Sequence, residues 1–522
     1  MATRTALPAG FRAAVVDIVG AGACKDDPAT LVTYSRDLWP LLTLRLREGI
    51  HVPGPQLVAW PADEDQLARL MTLAHDAGIP LIPYGGGAGV CGGTVATRGG
   101  LMVDVKRLNR LLELDGDAGT IEVEPGIIGE TLERMLAARG YTLGHFPSSI
   151  LCSSVGGFLA ARSAGQCSTL YGKIEDMVLG MRILTPGLGA VETGQYAPDS
   201  GGPDWTQVFL GSEGTLGVIS RCRLRIHPTP AARRFRGVRF PDVERGLEAF
   251  RRMLQMDLRP SVLRLYDPLD TLFAMSLTHG ASSDEGSSLP APLKRIGDRL
   301  KVLMKPEELP LGTVLRGARA INAAGGLANG CLAVIGFEGD AEQVEMAETE
   351  AMAVIDAVDG EDLGRDPGER WYASRYHISF KLPKVLQKDA FADTIEVAAT
   401  WDRMLPLYKA VRQAVAPHAV ILAHFSHAYP EGCSIYFSVS GVATDLAQAE
   451  RRYDRIWDAA LGAALRVGGT VTHHHGTGML KRRYTAREHG EGIHLYRAIK
   501  DICDPAGICN PDKLYPTAEV SP

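Results

Sequence analysis

The chain has 522 residues, which is too long for one hydrophobic core and predicts two domains or one domain with a large insertion. Its hydrophobic fraction of 45% and charged fraction of 22% are typical of a globular protein. The formal net charge of -6 argues against a nucleic-acid partner, whose binding domain would normally carry a basic face. The nine cysteines are scattered, odd in number and without a C-x-x-C pair, which predicts reduced thiols and no structural zinc.

No stretch of the chain predicts export or insertion into a membrane. Met1 to Phe11 is short and mixed, and it lacks the apolar core of a signal peptide. No apolar run reaches the ~18 residues that a spanning helix needs. We therefore expect a cytoplasmic protein, with peripheral membrane contact and a homodimer left open.

The first 230 residues predict a mixed domain of short strands and helices. Residues 1–49 predict a helical lead-in, and Leu57 to Pro61 predicts a buried strand. An amphipathic helix follows, and a strand from Pro80 to Pro83 completes a β-α-β unit. The helix has acidic residues in its first turn and an apolar stripe made of Leu67, Leu70, Met71 and Ala74. Further short strands predict an α+β fold rather than a doubly wound one.

The β-α-β unit ends in a glycine-rich loop, Pro83 to Gly93. Six of its eleven residues are glycine, so the backbone can adopt positive φ and bring several N–H groups against a ligand such as a pyrophosphate. The loop matches neither the dinucleotide fingerprint G-x-G-x-x-G nor the P-loop, and it contains no lysine. Taken alone, it also allows a tight turn that binds nothing.

Two further segments are rich in small residues. Ser148 to Ser168 combines glycines, alanines and hydroxyls, which suits either a flat polar ligand or the close packing of a helix on its sheet. Gly211 to Ile219 is the third such segment, and the domain ends near His227.

The chain after residue 231 predicts a separate antiparallel cap domain. Ser261 to Asp267 predicts a strand with Arg264 where an apolar residue would be expected, so this arginine either forms a surface ion pair or points into a cavity. In the strand Cys433 to Ser440, a period of two puts Tyr436 on the face of the serines, opposite Ile435. Tyr436 is therefore a candidate acid or base.

The densest group of titratable side chains is Thr472 to Gly478, which contains His473, His474 and His475. Neutral imidazoles exchange protons near pH 7, which suits acid–base catalysis. There are two alternatives. One is a metal site that adds His424 or His427, and the other is a structural cluster of hydrogen-bonded histidines. On an extended backbone, His473 and His475 would share one face and His474 would point away.

The three glycine-rich segments, in this order and at this spacing, resemble the FAD-binding domain of the vanillyl-alcohol oxidase and p-cresol methylhydroxylase superfamily over residues 50–230. The resemblance implies a two-domain, FAD-binding PCMH-type α+β fold with an antiparallel-sheet cap domain. It implies that FAD is held by Pro83, Tyr84, Gly85, Gly86, Gly87, Ala88, Gly89, Ser148, Ser149, Ile150, Leu151, Cys152, Ser153, Ser154, Ala161, Arg162, Ser163, Ala164, Glu213, Gly214, Thr215, Leu216, Gly217, Val218 and Ile219. Members with covalent flavin carry a histidine beside the first loop, which here continues with only Gly, Ala, Val and Cys, so non-covalent FAD is expected.

The histidine triplet, the Ile-Tyr-Phe strand and the final Asp-Pro-Ala-Gly-Ile-Cys-Asn-Pro-Asp-Lys-Leu resemble the alkyldihydroxyacetonephosphate synthase family over most of residues 50–515. The resemblance implies a reaction without net oxidation, in which an acyl-dihydroxyacetone phosphate exchanges its fatty acid for a fatty alcohol through a flavin N5 adduct. It implies that Tyr436 and His473 to His475 line the catalytic chamber and shuttle protons, and that Arg264 is functionally placed. A small-molecule or lipid-like substrate follows.

One departure from this family concerns the substrate phosphate. The family has an Arg-Asp pair before the segment that matches Asp393 to Trp401, whereas this chain reads Phe380-Lys381-Leu382-Pro383. Lysine binds phosphate as a point charge but cannot form the bidentate fork of arginine. Lys381 and Arg375 are therefore the candidate phosphate ligands. An oxidase or dehydrogenase of a hydroxy acid or alcohol, and a non-catalytic flavin-binding protein, are the alternative functions.

The expected domains are residues 1–49 as the lead-in, 50–230 for FAD, 231–470 as the cap, and 471–522 as a segment that returns to the flavin site.

Overall fold

The computed structural model describes residues 4–50, 52, 54–194, 200–278, 318, 321–322, 330–376 and 390–516. Contacts within the chain divide it into two units. The first unit comprises Met1–Gly165, Tyr171–Thr229 and Thr472–Pro522, and the second comprises Gln166–Leu170 and Pro230–Val471. The C-terminal stretch therefore belongs to the same unit as the glycine-rich segments.

Among the described elements, the longest strands and the longest helix belong to the second unit. The strands are β1 (Cys24–Lys25), β2 (Leu57–Ala59), β3 (Leu81–Tyr84), β4 (Leu101–Asp104), β5 (Leu111–Asp115), β6 (Thr120–Val123), β7 (Tyr141–Thr142), β8 (Val178–Thr185), β9 (Gly189–Glu192), β10 (Val218–Arg225), β11 (His227–Pro228), β12 (Ala232–Phe240), β13 (Val262–Tyr266), β14 (Cys331–Gly339), β15 (Glu361–Asp362), β16 (Ala390–Thr400), β17 (Val420–Ser426) and β18 (Gly432–Val442). The α-helices are α1 (Phe11–Val19), α2 (Pro28–Thr33), α3 (Pro40–Arg47), α4 (Glu64–Asp76), α5 (Gly129–Ala137), α6 (Val155–Ala160), α7 (Ser168–Tyr171), α8 (Ile174–Met177), α9 (Trp205–Phe209), α10 (Val243–Gln255), α11 (Pro268–Thr278), α12 (Ala341–Asp356), α13 (Asp366–Ser374), α14 (Trp401–Val415), α15 (Leu446–Arg466), α16 (Arg482–His489) and α17 (Gly492–Cys503).

The first sheet of the first unit has the order β1-β2-β4-β3. β2 and β3 each run parallel to β4, and α4 connects β2 to β3 in the β-α-β unit. The Asp63 side chain caps α4 by accepting a hydrogen bond from Gln66 N, and Gly78 follows the helix with a φ of +62°. The predicted apolar stripe of α4 is buried at each of its four positions. In the expected helical lead-in, the structure adds β1, which pairs with β2.

The second sheet of the first unit is antiparallel, in the order β5-β6-β10-β8-β9, and β7 pairs with β11 beside it. Its core is made of apolar residues from the strands and from α5 and α6, and it includes Phe158 and Leu159 of the second glycine-rich segment. The combination of a small mixed sheet and an antiparallel sheet confirms the α+β prediction.

The second unit is built on one antiparallel sheet of seven strands, in the order β15-β12-β14-β13-β17-β18-β16. Residues on β18 alternate as predicted: Ile435 and Phe437 are fully buried, whereas Tyr436 and Ser438 keep partial exposure. β13, β17 and β18 are neighbours in this sheet, and residues paired across neighbouring strands share a face. His424 on β17 is paired with Tyr266 on β13 and with Tyr436 on β18, and Arg264 lies two residues before Tyr266. This register places Arg264, His424 and Tyr436 within reach of one another.

The arginines of β12 form ion pairs within the second unit. Arg234 and Arg236 both bind the carboxylate of Glu348, at 2.9 and 2.7 Å, and Arg233 binds Glu338 at 3.1 Å. This arginine-rich strand therefore meets acidic partners of its own unit. Lys481 belongs to the first unit and is fully buried.

Candidate functional site

The three glycine-rich segments meet one another in the first unit. A Cβ atom on Gly86 would lie 1.8 Å from the carbonyl oxygen of Cys152, and one on Gly85 would lie 2.1 Å from Ser154 Oγ. A Cβ atom on Gly214 would lie 2.3 Å from Pro83 Cγ. Real Cβ atoms do not approach so closely, so glycine at these positions is what allows the first loop to touch the second and third segments.

Hydrogen bonds connect Ala160 and the Ala161 to Ala164 turn to the third segment and to the helix α9 that precedes it. Glu213 N donates to Ala160 O at 3.0 Å, and Arg162 donates through its guanidinium to Gln207 O at 2.7 Å. Arg162 and Glu213 both have left-handed backbone conformations, with φ of 48° and 49°. Such conformations are costly for residues other than glycine and mark a backbone that its surroundings hold in place.

Two acidic residues that sequence reasoning did not single out support the first loop, Asp37 by direct contact and Asp104 through Lys106. The carboxylate of Asp37 accepts hydrogen bonds from Gly92 N at 2.8 Å and Gly93 N at 3.1 Å, and burial raises the pKa of Asp37 to about 6. Asp104 accepts from Tyr34 Oη at 2.5 Å and pairs with Lys106 Nζ at 2.5 Å. Asp37 lies in the stretch Tyr34 to Pro40 of the lead-in, for which no role was predicted from the sequence.

A lysine lies beneath the glycine loop, although the loop itself contains none. Lys106 Nζ donates to Gly85 O at 2.8 Å and lies 4.8 Å from the centre of the Tyr84 ring. Lys106 follows β4, and β4 pairs with the strand that carries the loop, so the sheet brings it there. The ammonium therefore binds the loop carbonyl while its charge is paired with the Asp104 carboxylate.

The residues of this region fit a flavin nucleotide. The backbone of Gly85 to Gly93 is free of side chains at most positions, so its N–H groups can approach a diphosphate. His145 is 1% exposed, its Nε2 lies 2.8 Å from Ser163 Oγ, and its buried Nδ1 has no hydrogen-bond partner within the described residues. Burial, with the charge of Lys173, lowers the pKa of His145 to about 3, so its ring is neutral. A buried polar atom left open in this way suits a hydrogen bond to a bound ligand.

The histidine triplet belongs to the first unit, together with the glycine-rich segments. Gly476 packs beside Glu213 and Ala161, and the amide N of Met479 donates to Cys91 O of the first loop at 2.9 Å. The expectation of alternating rings was wrong: His473 Nδ1 lies 3.0 Å from His474 Nδ1, and the rings of His474 and His475 meet edge to face at 4.5 Å. The segment is not a strand, and consecutive rings contact each other because the chain bends there.

Arg264, His424 and Tyr436 form a second cluster, on the polar face of the sheet of the second unit. Arg264 Nη2 lies 2.8 Å from His424 Nε2, and the His424 ring stacks on the Tyr436 ring with 4.8 Å between centres. His424 Nδ1 lies 3.3 Å from Asp270 Oδ2. Burial raises the pKa of Tyr436 to about 12, so the phenol keeps its proton at neutral pH.

The donors and acceptors of this cluster define the state of His424. A guanidinium can only donate, so His424 Nε2 must be an acceptor without a proton. Nδ1 then carries the proton and donates a hydrogen bond to the side chain of Asp270. Burial lowers the pKa of His424 well below its usual value, which agrees with a neutral ring. His424 thus joins a carboxyl group to the arginine while it supports the tyrosine ring, and sequence reasoning had weighed it only as a metal ligand.

Arg375, a predicted phosphate ligand, contacts a neighbouring tyrosine rather than the Arg264 cluster. Its guanidinium stacks over the Tyr372 ring at 3.7 Å, and Nη1 donates to Tyr372 O at 2.6 Å. Lys381 lies outside the described residues. Within the described residues, no group of three or more His, Cys, Asp or Glu side chains could hold a metal ion, and no helix has the length and apolarity needed to cross a bilayer.

Family models match the chain in two consecutive regions. The FAD binding domain model matches residues 55–194, and the model for the C-terminal domain of FAD linked oxidases matches residues 229–514. Alkyldihydroxyacetonephosphate synthase of Dictyostelium discoideum is 30% identical over 514 residues, which cover 94% of this chain and 78% of that protein. Glycolate oxidase subunit GlcD of Bacillus subtilis is 26% identical, with 96% of each chain covered.

Solved structures agree with these matches. An alkyldihydroxyacetonephosphate synthase structure has a TM-score of 0.75 at 25% identity and covers 98% of this chain and 86% of its own. A p-cresol methylhydroxylase structure with bound substrate has a TM-score of 0.72 at 14% identity, covers 98% and 99%, and supports the fold alone. The fold and the converging segments therefore define a two-domain flavoprotein of the PCMH type. The chain belongs to the FAD-linked oxidase family, among relatives that include the alkyldihydroxyacetonephosphate synthases, and it is an enzyme whose cofactor is FAD.

Proposed function

We propose that the enzyme replaces the acyl group of an acyl-dihydroxyacetone phosphate by a fatty alcohol, with release of the fatty acid and no net oxidation. The observation that carries this proposal is the 30% identity to curated alkyldihydroxyacetonephosphate synthases over 94% of the chain. The second unit supports it, because its polar sheet face offers an arginine and a protonated tyrosine, which an anionic, exchanging substrate requires.

FAD, when bound, would supply the covalent chemistry of the group exchange. The chain itself supplies the binding groups and the protons. Arg264 keeps a buried Nε–H without a hydrogen-bond partner in the described part of the chain, so this guanidinium can donate to a phosphate or carboxylate. Tyr436 holds a proton on Oη that it can donate to a leaving group. The imidazoles of His473 to His475 would accept and return protons during the exchange.

We also propose that FAD is held without a covalent bond. After Tyr84, the first loop offers only Gly, Ala, Val and Cys side chains up to Gly93, and the one thiol, Cys91, is 3% exposed. Acid precipitation of the purified protein should leave the yellow colour in the supernatant. Colour in the pellet would contradict this part of the proposal.

The exchange is tested with acyl-dihydroxyacetone phosphate and radiolabelled hexadecanol. We expect labelled lipid that resists mild alkali, because an ether survives where an ester hydrolyses, and an equal amount of free fatty acid. The flavin spectrum should be oxidised before and after turnover under anaerobic conditions. Absence of alkali-stable product with protein that contains FAD would overturn the proposal.

A second candidate is the oxidation of a hydroxy acid, and the match to glycolate oxidase subunit GlcD over 96% of the chain favours it. Arg264 would then bind the substrate carboxylate. Anaerobic titration with short 2-hydroxy acids distinguishes the two functions, because an oxidase substrate bleaches the flavin band by transfer of two electrons.

A further inference from the structure

The loop that carries the histidine triplet is held at both ends by charged side chains. At its start, Lys173 Nζ donates to His473 O at 2.9 Å, while the same ammonium pairs with Glu175 at 2.9 Å. At its end, the carboxylate of Glu213 accepts from Thr477 N at 2.5 Å and from Gly478 N at 2.9 Å. These contacts all lie within the first unit.

The Glu213 side chain is therefore engaged with the histidine loop. The residue lies in the third glycine-rich segment, which the family resemblance assigns to the flavin, yet its carboxylate oxygens accept three hydrogen bonds from two amides of the loop. A carboxylate that accepts backbone N–H groups makes charge-assisted bonds, which are stronger than neutral ones. The main chain of Glu213 is itself fixed, because Asn510 Nδ2 donates to Glu213 O at 2.6 Å.

The loop has the shape that this contact demands. Gly476 has a φ of +77°, and a Cβ atom on it would lie 2.6 Å from Glu213 Oε1. Gly478 has a φ of +52°, and a Cβ atom there would lie 2.1 Å from Cys91 O. The two glycines thus allow the amides after His475 to turn onto the carboxylate while the chain passes against the first loop.

We propose that Glu213 is a positioning residue for the histidine triplet, whose carboxylate sets the turn after His475 and so couples the flavin-binding segments to the imidazoles. This proposal for Glu213 rests on the proposed function in one respect, which is that it treats the histidine triplet as the acid–base group. The charged groups that face Glu213 are Lys481 and Lys513, both buried, and Asp37 faces Lys513 in turn. Both lysines favour the ionised carboxylate that the amides require.

Hydrogen–deuterium exchange of the FAD-loaded protein tests the contact directly. In Glu213→Gln the amides of Thr477 and Gly478 should exchange about tenfold faster, because one charge-assisted bond is lost at each, while the ratio of FAD to protein stays at the wild-type value. Asp37→Asn is the matched comparison, since that carboxylate holds Gly92 N and Gly93 N in the same way. It should accelerate exchange at those two amides and leave Thr477 and Gly478 protected.

Turnover separates positioning from cofactor binding. Glu213→Gln should lower kcat with KM and FAD content unchanged, and Glu213→Asp, which keeps the charge, should recover part of kcat. Loss of FAD with wild-type exchange at Thr477 and Gly478 would make Glu213 a cofactor ligand and overturn the proposal. Failure of both variants to fold would overturn it as well, because Glu213 would then be a folding residue. If the wild-type enzyme lacks synthase turnover, the proposed function fails, and the exchange experiment still decides the role of Glu213.

Discussion

The two units build their candidate site surfaces in opposite ways. In the first unit, charged side chains form hydrogen bonds with the main chain. Asp37 and Glu213 accept from loop amides, and Lys106 and Lys173 donate to loop carbonyls. In the second unit, side chains on neighbouring strands bind one another, and the central pair is Arg264 and His424. The first arrangement leaves the backbone to face a ligand, and the second presents functional groups whose positions follow from strand register.

This difference predicts which substitutions each unit tolerates. A glycine loop pressed against another segment cannot accept a Cβ atom, because the neighbouring atom is backbone and cannot move aside. A side chain on a sheet face can be shortened without disturbing the fold, but its chemistry is then lost. A Cβ atom added to the glycine loops of the first unit should therefore cause loss of cofactor, whereas loss of a side chain on the sheet face of the second unit should lower turnover in an enzyme that still holds FAD.

The largest effect is expected for Gly86→Ala. The new methyl group would meet the carbonyl oxygen of Cys152 at 1.8 Å, so the first two segments must separate, at a cost of about 3 kcal/mol or more. FAD content, measured from the ratio of visible to ultraviolet absorbance, should fall to a small fraction of the wild-type value. Gly22→Ala is the control, because nothing lies within 4 Å of a Cβ atom there. Full FAD content in Gly86→Ala would refute the close contact.

The next effect is expected for Tyr436→Phe. Removal of the phenol should lower kcat by about 10²–10⁴, as for loss of a general acid, and FAD binding should be unchanged. Ser438→Ala, two residues along on the same face of β18, should keep wild-type turnover. Equal activity of Tyr436→Phe and the wild type would remove the tyrosine from the chemistry.

A smaller effect is expected at His424. The side-chain amides of glutamine and asparagine can each replace one of its two ring nitrogens. Glutamine places its amide oxygen where Nε2 lies and can still accept from Arg264, whereas asparagine reaches only toward Asp270. His424→Asn should raise KM for an anionic substrate about tenfold, in line with one lost hydrogen bond to a charged group, and His424→Gln should raise it less. The reverse order would show that the contact with Asp270 matters more than that with Arg264.

The smallest effect concerns pH and Glu213. Burial raises its pKa from 4.5 to about 7 in the folded protein, so between these values the unfolded chain releases a proton that the folded protein keeps. Stability from this group is therefore present below pH 4.5 and is lost as the pH rises through 7. In Glu213→Gln the slope should be shallower by up to about 1.4 kcal/mol per pH unit in this window. Unfolding midpoints at several pH values measure it, and parallel curves for variant and wild type would contradict the shifted pKa.

Local patterns were sufficient for many elements. The apolar stripe of α4 and the period of two in β18 depend on neighbours in sequence, and the structure confirms both of them. The alternation expected for His473 to His475 failed, because it assumed an extended backbone where the chain turns. Lys106, Asp37 and His424 were missed or given another role, since their partners lie far away along the chain.

The sequence by itself determined the three glycine-rich segments and the candidate acid–base residues, because residue type and spacing carry that information directly. The flavin-binding fold followed from the resemblance of these segments to a known family. Only the tertiary structure decided which charged groups meet them. Asp37 lies 55 residues from Gly92, and Glu213 lies 264 from Thr477. Such pairs form when sheets and glycine contacts bring distant segments together, and no local pattern encodes the buried carboxylate that holds a loop amide.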